Sequence, residues 1–155
     1  MSGRGPLSEG PILHATLIAA RRRGRWCGVL LQGPSGSGKS DLALRALSSG
    51  WRLTADDRVH VWRSGGALYG AAPAPLAGLI EVRGVGVRCE PTLPFVRLDL
   101  AVEAATQAEP VERMPPPMRY DLLALALPRL RLALLEVGTL ARLERALDAA
   151  LRREL

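Results

Sequence analysis

The 155-residue sequence contains no apolar run long enough to cross a membrane. Its longest runs, such as LLALAL at 122–127, fall far short of the roughly 20 residues that a bilayer-spanning helix needs. The first ten residues, MSGRGPLSEG, have no apolar segment after their charge and therefore do not resemble a secretory signal. We expect a cytoplasmic protein with no membrane partner.

Cysteines and aromatic residues are also scarce. Cys27 and Cys89 lie in apolar stretches, without a second cysteine pair or a histidine at metal-ligand spacing. This pattern predicts two buried thiols rather than a disulfide or a metal site. Aromatic residues make up only 4% of the chain and form no base-stacking pattern among the arginines, so we expect no nucleic-acid partner.

Lysine is the rarest cation, since the chain has a single lysine, Lys39, beside 20 arginines. The formal net charge of +6 favours anionic ligands such as nucleotides or acidic proteins. Hydrophobic residues make up 48% and charged residues 23%, which is typical of a soluble globular protein. A chain of this length buries about 68–70% of the surface of its unfolded state, so we expect one domain over residues 1–155.

Hydrophobic periodicity and turn residues predict alternating strands and helices. An N-terminal hairpin is expected over 12–32, with strands at 12–20 and 26–32. After a glycine loop, apolar residues recur at helical spacing over 42–47, and Gly50 stands where that helix should end. The remaining predictions are a strand at 51–62 broken at its paired aspartates, a loop at 65–78, a strand at 79–89 interrupted by two glycines, a strand at 95–104, a proline-rich surface segment at 107–119 and an amphipathic helix over 139–155 with Thr139 as its N-cap.

The turn of the N-terminal hairpin is unusually basic, with the sequence RRRGR at 21–25. One interpretation is a solvated hairpin tip. The other is a surface that docks an anion. The sequence leaves both interpretations open.

The sequence GPSGSGKS follows the second predicted strand and precedes the first predicted helix, and it satisfies the G-x-x-x-x-G-K-[ST] pattern of phosphate-binding loops. Glycines let successive backbone N–H groups turn toward an anion, and the following helix adds the positive end of its dipole. Lys39 supplies a compact charge on a flexible stem, and Ser40 can offer its hydroxyl to Mg²⁺. The predicted nucleotide site consists of Gly33, Pro34, Ser35, Gly36, Ser37, Gly38, Lys39 and Ser40.

Two adjacent carboxylates, Asp56 and Asp57, follow the helix in the segment LTADD. In a strand–helix–strand unit, the strand that ends at these aspartates can run parallel to and beside the strand that precedes the loop. Its C-terminal end then lies at the edge where open α/β sheets bind ligands. We expect one carboxylate to bind Mg²⁺ and the other to accept a proton from an incoming hydroxyl. A solvated loop entry is the alternative.

Glu81 and Arg83 form a charged pair in an apolar stretch that precedes two closely spaced glycines. Glu81 can be a metal-ligating carboxylate where the backbone approaches a ligand closely. Alternatively, the two residues form an ion pair beside a β-bulge. Their spacing does not distinguish these possibilities.

Three segments occur in the order GPSGSGKSDLAL, LTADDRV and IEVRGVGV. Together they resemble the catalytic domain of HPr kinase/phosphorylase, whose motifs are a phosphate loop, an ADD segment and an E-[IV]-R-G-[LV]-G signature. The similarity runs from Gly33 to Val87, extends more weakly back to His14, and is to the short bacterial form of the family that lacks the usual N-terminal domain. It implies an α/β fold, namely a single P-loop-containing domain with a mixed β-sheet and flanking helices, like the HPr kinase C-terminal domain and PEP carboxykinase.

The resemblance also implies catalytic roles. His14 is similar in position to the active-site histidine of the family, and Lys39 matches its phosphate-loop lysine. Asp57 matches the proton-transfer group, with Asp56 as its neighbour. Arg113, in the segment VERMP, stands for a later catalytic arginine, although the surrounding sequence differs.

The implied activity is phosphorylation of a serine in the small phosphocarrier HPr with ATP and Mg²⁺, in which Ser40 and Glu81 match the magnesium ligands. Many family members also catalyse the reverse phosphorolysis. The family segment P-V-R-P-G-R, which is tied to dephosphorylation, is absent from this sequence, and LALPRLRLAL lies roughly where it would fall, so kinase activity is better supported. Family members commonly form hexamers, which implies a homo-oligomer. A small-molecule kinase and a non-catalytic nucleotide-binding regulatory module remain the alternatives.

Overall fold

The structure is a computed structural model that describes residues 10–155. This part of the chain contains eleven β-strands and two α-helices. The strands are β1 (Ile12–Leu13), β2 (Ala15–Arg22), β3 (Arg25–Gln32), β4 (Arg52–Ala55), β5 (Val59–Ser64), β6 (Ala67–Ala71), β7 (Leu79–Val82), β8 (Gly86–Cys89), β9 (Val96–Ala104), β10 (Met118–Leu122) and β11 (Leu125–Leu132), and the helices are α1 (Lys39–Leu47) and α2 (Thr139–Leu151). A single 3-10 turn, Ala74–Leu76, lies between β6 and β7.

Nine strands form one mixed sheet, in the order β1-β5-β6-β9-β3-β2-β4 with the β10–β11 hairpin branching from β9. One edge of β9 pairs with β3 in parallel. The other edge pairs first with β6, in antiparallel fashion, and then with β11, in parallel. The sheet therefore forks on one side of β9. The strands β7 and β8 form a separate antiparallel ribbon.

The two strands that carry the phosphate loop and the paired aspartates, β3 and β4, point in the same direction but are not neighbours. Strand β2 lies between them and is antiparallel to both. The prediction that these strands are adjacent is wrong, because the β2–β3 hairpin occupies that edge of β3 and α1 carries the chain across β2. Both strands still end at the same edge of the sheet, which keeps the loop and the aspartates close together.

The sheet is apolar on both faces, so the sequences of β2 and β3 contain nearly continuous apolar runs. One face packs against α1 and α2 through residues such as Ile18, Leu42 and Leu143. The other face holds a second core cluster that includes Leu17 and Leu98. The α/β fold class that the sequence predicts, a mixed sheet with flanking helices, is therefore confirmed.

Three segments differ from their predictions. The strand predicted at 12–20 is divided into β1, which pairs with β5, and β2, which forms the hairpin with β3. The loop predicted at 65–78 contains β6, which is held by ladders to β5 and β9 despite its small residues, because pairing on both edges outweighs low strand propensity. The interrupted strand at 79–89 is instead the β7–β8 hairpin. Its turn is closed by a 2.9 Å hydrogen bond from the Val85 N–H to the Val82 carbonyl. Gly84 lies in this turn and Gly86 begins β8, and the pairing of β7 with β8 has no register shift of the kind a β-bulge produces.

Two side-chain predictions are also wrong. Cys27 is buried as expected, but Cys89 is exposed on the two-stranded ribbon. Thr139 is the first residue of α2 rather than its N-cap, which is Gly138. The Thr139 hydroxyl instead donates to the carbonyl of Ala133, so it ties the start of the helix to the segment that follows β11.

Within residues 10–155, no helix combines the length and the apolar character that a bilayer crossing requires.

Replacement of Leu143 by alanine tests how α2 is docked. Leu143 has no exposed surface in the core that joins α2 to the sheet, so Leu143→Ala should lower the free energy of unfolding by about 2–5 kcal/mol. Arg142→Ala is the control, since its ion pair with Glu136 is exposed and should contribute less than about 1 kcal/mol. Urea denaturation measures both. Equal effects of the two substitutions would contradict the docking of α2 through this face.

Candidate functional site

The loop between β3 and α1 folds around the ammonium group of Lys39. The Lys39 Nζ donates to the Gly33 carbonyl at 2.5 Å and to the Pro34 carbonyl at 3.0 Å. Gly33 has a φ of +154°, and a Cβ at this position would lie 2.7 Å from the Cβ of Ala104 and from the hydroxyl of Ser37. Only glycine fits there, because β9 packs directly against the start of the loop.

Lys39 is almost fully buried, with 7% of its surface exposed. Burial lowers the pKa of its ammonium group, and the nearby carboxylates of Asp57 and Asp56 partly oppose that shift. An ammonium group has three donors, two of which serve the loop carbonyls. The third donor is available for an anion in the adjacent cleft.

The carboxylate of Asp56 connects three elements of the site. Its Oδ1 accepts one hydrogen bond from the Thr16 hydroxyl of β2 at 2.9 Å and another from the Ser40 hydroxyl of α1 at 2.8 Å. Thr16 is completely buried and Asp56 is 9% exposed. Asp56 therefore fixes the first turn of α1, and with it the phosphate loop, relative to the centre of the sheet.

Asp57 lies in a tight turn in the break between β4 and β5. The Arg58 N–H donates to the Asp56 carbonyl at 2.8 Å, and Asp57 between them has a φ of +67°, which is an uncommon conformation for a residue other than glycine. The Ala15 N–H donates to the Asp57 carbonyl at 3.2 Å and attaches this turn to β2. Because His14 precedes Ala15, its Nε2 lies 2.8 Å from Asp57 Oδ1.

A cleft of about 370 Å³ joins these groups. Its lining residues come from β2, the loop, α1, the β4–β5 turn, β7 and the segment after β11: they are His14, Thr16, Ser35, Gly36, Gly38, Lys39, Ser40, Asp41, Leu44, Asp57, Glu81, Val82, Arg83 and Leu135. Glu81 and Arg83 enter the cleft at the end of β7. Neither takes part in an ion pair within residues 10–155, so the interpretation of these two residues as an ion pair is wrong.

Most of the residues that the sequence predicts for the site meet in or beside this cleft, whereas Arg113 does not. Arg113 is exposed in the irregular segment between β9 and β10, and it is not among the described residues that line the cleft. Its catalytic role stays a prediction.

Two contributions to the site are missing from the sequence-based prediction. Thr16 is the buried hydroxyl that holds Asp56, and the one available signal was a polar residue in the otherwise apolar run ATLIAA. Leu135 covers the loop at Gly38, where a Cβ would lie 2.9 Å from the leucine side chain. No local pattern marks Leu135, since it lies in a segment that is distant in sequence from the loop.

Comparison with known proteins identifies relatives for the first half of the chain. The family described as "HPr Serine kinase C-terminal domain" matches residues 7–88, which is more than half of the sequence. The chain is 43% identical over 84 residues to an HPr kinase/phosphorylase from Levilactobacillus brevis, covering 54% of this chain and 26% of that protein. It is 51% identical over 82 residues to an HPr kinase/phosphorylase from Streptococcus thermophilus, covering 52% and 25% respectively. The matches thus span about a quarter of the length of these curated relatives.

Similarity of fold extends further along the chain. The structure of the "Hpr(Ser) kinase/phosphatase from Coxiella burnetii" superimposes with a TM-score of 0.72 at 22% sequence identity. The superposition covers 88% of this chain and 97% of the Coxiella chain. The shared fold therefore includes most of the C-terminal half, which the family match does not reach.

A pair of threonine substitutions tests whether Asp56 holds the site together. Thr16→Val removes a donor to a buried carboxylate and should lower the free energy of unfolding by about 1–3 kcal/mol. Thr54→Val is the matched control, because the buried Thr54 hydroxyl has no hydrogen-bond partner within the described chain, and this change should be neutral or stabilising. Thermal and urea unfolding measure both variants. An equal loss in the two variants would contradict a special role for the bond between Thr16 and Asp56.

Proposed function

We propose, since this chain belongs to the family of HPr serine kinase C-terminal domains, that it phosphorylates a serine of an HPr-type phosphocarrier protein with ATP and Mg²⁺. The observation that carries the proposal is the contact of 2.8 Å between His14 Nε2 and Asp57 Oδ1 in the cleft lined by the phosphate loop. The contact supports the proposal because a candidate proton acceptor and a candidate phosphate site then share one cleft. That juxtaposition is what phosphoryl transfer to a hydroxyl requires.

The nucleotide phosphates are assigned to residues 33–40. The N-terminus of α1 and the backbone N–H groups of the loop supply fixed partial positive charges there, and Lys39 adds a full charge. Its ammonium is already oriented by two carbonyls, so phosphate binding requires little rearrangement of the side chain. Protein charge and position, rather than covalent chemistry, dominate such reactions.

The side-chain oxygen atoms beside the loop fit Mg²⁺, a hard cation that prefers oxygen ligands. The Ser40 hydroxyl and the Glu81 carboxylate line the same cleft, and Asp56 holds the Ser40 oxygen in place. Within residues 10–155 no cluster of three or more acidic, histidine or cysteine side chains is present, so the protein ligands proposed for the ion are Ser40 and Glu81 alone. When bound, the ion neutralises charge on the phosphate oxygens.

Asp57 is the general base in this proposal. Its Oδ1 contacts His14, which orients the carboxylate and leaves Oδ2 to accept the proton of the attacking serine hydroxyl. The new O–P bond then forms as the bond from phosphorus to the leaving nucleotide oxygen breaks. A strained turn at Asp57 is consistent with this role, because residues held in sparsely populated conformations cluster at functional sites.

The accessibility of the acid and its partner supports a protein as the phosphoryl acceptor. The side chains of His14 and Asp57 are 52% and 63% exposed, so a serine on the surface of another protein can reach them without passing through a closed pocket. A small-molecule kinase would instead benefit from an enclosed site that excludes water. We therefore favour the protein kinase over that alternative.

Asp57→Asn tests the general base directly. Because the amide cannot accept the proton as a carboxylate does, phosphoryl transfer should fall by about 10²–10⁴-fold while affinity for magnesium nucleotide is retained. Asp41→Asn is the matched control, since Asp41 lies in the same cleft but forms an exposed ion pair with Arg45. Transfer of radiolabel from ATP to purified HPr is the measurement. Undiminished transfer by Asp57→Asn would contradict the assignment. The same labelling of a whole lysate compares the two kinase functions, since label in a metabolite instead of HPr would favour the small-molecule kinase.

Lys39→Arg tests the shape of the cation site and not only its charge. The planar guanidinium cannot occupy the position of an ammonium between the Gly33 and Pro34 carbonyls, so affinity for MgATP should fall about tenfold or more although the charge is retained. Arg88→Lys, on the exposed ribbon outside the cleft, should leave the affinity unchanged. Isothermal titration calorimetry measures both. Equal affinities for Lys39→Arg and the parent protein would overturn the assigned role of Lys39.

A further inference from the structure

A second cleft, of about 450 Å³, lies at the end of the sheet opposite the phosphate loop. Strand β3 runs from Arg25, at this cleft, to Gln32, beside the loop, and eight strand residues span roughly 25 Å. The volume is within the range of about 300–1,000 Å³ that is typical of ligand sites. The proposed kinase chemistry does not use this cleft.

The cleft occupies the fork in the sheet. Strand β6 pairs with β9 only as far as Arg97, and β11 joins β9 only at Ala101. Among the described strands, none pairs with the edge of β9 between these two residues. Ala67 and Leu68 of β6 form one wall, and residues 125–128 of β11 form the other. A short length of unpaired strand edge therefore lies at the base of the cleft.

Arginines surround this opening, and we call it the arginine notch. The ionisable side chains that line it are Arg25, Arg97, Arg119, Arg153 and Asp99. Asp99 is fully engaged, since Arg25 donates to both of its oxygens, at 2.7 and 3.0 Å, and the Gly28 N–H donates at 3.2 Å. Arg119 and Arg153 have no carboxylate partner in residues 10–155.

The notch continues into the basic hairpin tip at 21–25. A smaller hollow lined by Arg22, Arg23 and Arg152 shares Leu151 with the notch. In this hollow Arg22 pairs with Asp148 at 2.9 Å, whereas Arg23 donates only to the carbonyl of Leu151. The hairpin tip is therefore an exposed basic turn that also contacts the end of α2.

The floor of the notch is apolar, because half-buried Leu125, Pro128 and Leu151 line it together with leucines that are nearly fully buried. A single free phosphate would leave this floor and the strand edge unused. A polypeptide can use all three features, by pairing its backbone with β9, inserting an apolar side chain and presenting carboxylates to the guanidinium groups.

Nucleic acid and a second copy of this chain are poorer occupants. Trp26 is an indole at this end of the sheet, and the guanidinium groups of Arg21 and Arg52 lie 5.9 and 5.8 Å from its ring centre, where they compete with a base for stacking. A second copy would bring one arginine-rich surface against another, and like charges repel.

We propose that the arginine notch binds an extended acidic segment of a partner protein that carries an apolar residue between carboxylates. This interaction is separate from phosphoryl transfer in the cleft beside the phosphate loop. It explains why the hairpin tip, the start of β9 and the end of α2 all carry arginines at one end of the molecule.

The test uses the full chain and a fluorescent peptide of alternating glutamate and leucine, with binding followed by anisotropy at low and high salt. Arg119→Glu/Arg153→Glu should weaken binding about tenfold or more, because like charges would then face the peptide. Arg88→Glu/Arg145→Glu is the matched control, with the same change in net charge at exposed positions outside the notch. A peptide of alternating lysine and leucine should not bind. Circular dichroism and MgATP affinity should be unchanged in both variants.

Several results would overturn the proposal. One is equal weakening by the two double variants, which would indicate non-specific charge attraction. Another is a notch variant that loses binding to a thymidine oligonucleotide, phosphatidylserine vesicles or inorganic phosphate but not to the acidic peptide. A third is sedimentation showing that Arg119→Glu/Arg153→Glu separates a self-associated form of the protein. Arg119→Ala/Arg153→Ala provides the same comparison if the charge reversal unfolds the chain.

Discussion

One carboxylate oxygen, Oδ1 of Asp56, determines how the functional cleft is assembled. It accepts hydrogen bonds from Thr16 and Ser40, and so joins the middle of the sheet to the first turn of α1. The next residue, Asp57, is thereby held in a turn whose carbonyl is bonded to β2 and whose carboxylate contacts His14. Because Asp56 is buried, its own hydrogen bonds to Thr16 and Ser40 are largely shielded from water. They fix the positions of Asp57 and His14, which are themselves exposed. The exposed residues of the cleft are therefore positioned by the buried carboxylate of Asp56.

The two ends of the parallel strands are chemically different. At their C-terminal ends, one buried lysine lies among carboxylates and hydroxyls, which suits a nucleotide with its metal ion. At the opposite end, several arginines surround an apolar floor where the sheet divides. Both ends attract anions, but a compact ammonium with fixed carbonyl partners differs from an array of planar guanidinium groups. The distribution of lysine and arginine in the sequence therefore corresponds to two kinds of surface.

Local sequence was sufficient to predict the glycine loop between β3 and α1, the break at the paired aspartates and the amphipathic face of α2, since each depends on neighbouring residues. Prediction failed where contacts between distant segments decide the outcome. The pairing of β2 with both β3 and β4 separates strands that a simple strand–helix–strand unit would place side by side. Likewise, β6 is a strand because of its two partners, and Cys89 is exposed because its ribbon stands apart from the sheet. For the same reason, Leu135 could not be recognised as part of the site, and the role of Thr16 was signalled only by its polarity within an apolar run.

In the proposed kinase, the phosphate loop and the Asp57–His14 pair face each other across a bound nucleotide. A crystal structure of the chain with Mg²⁺ and a non-hydrolysable ATP analogue would show this arrangement. We expect the triphosphate to follow residues 33–40, its terminal phosphate to contact the Lys39 ammonium, and the Asp57 carboxylate to face that phosphate with room for a serine hydroxyl between them. A nucleotide bound in the arginine notch, or an Asp57 carboxylate turned away from the terminal phosphate, would contradict it.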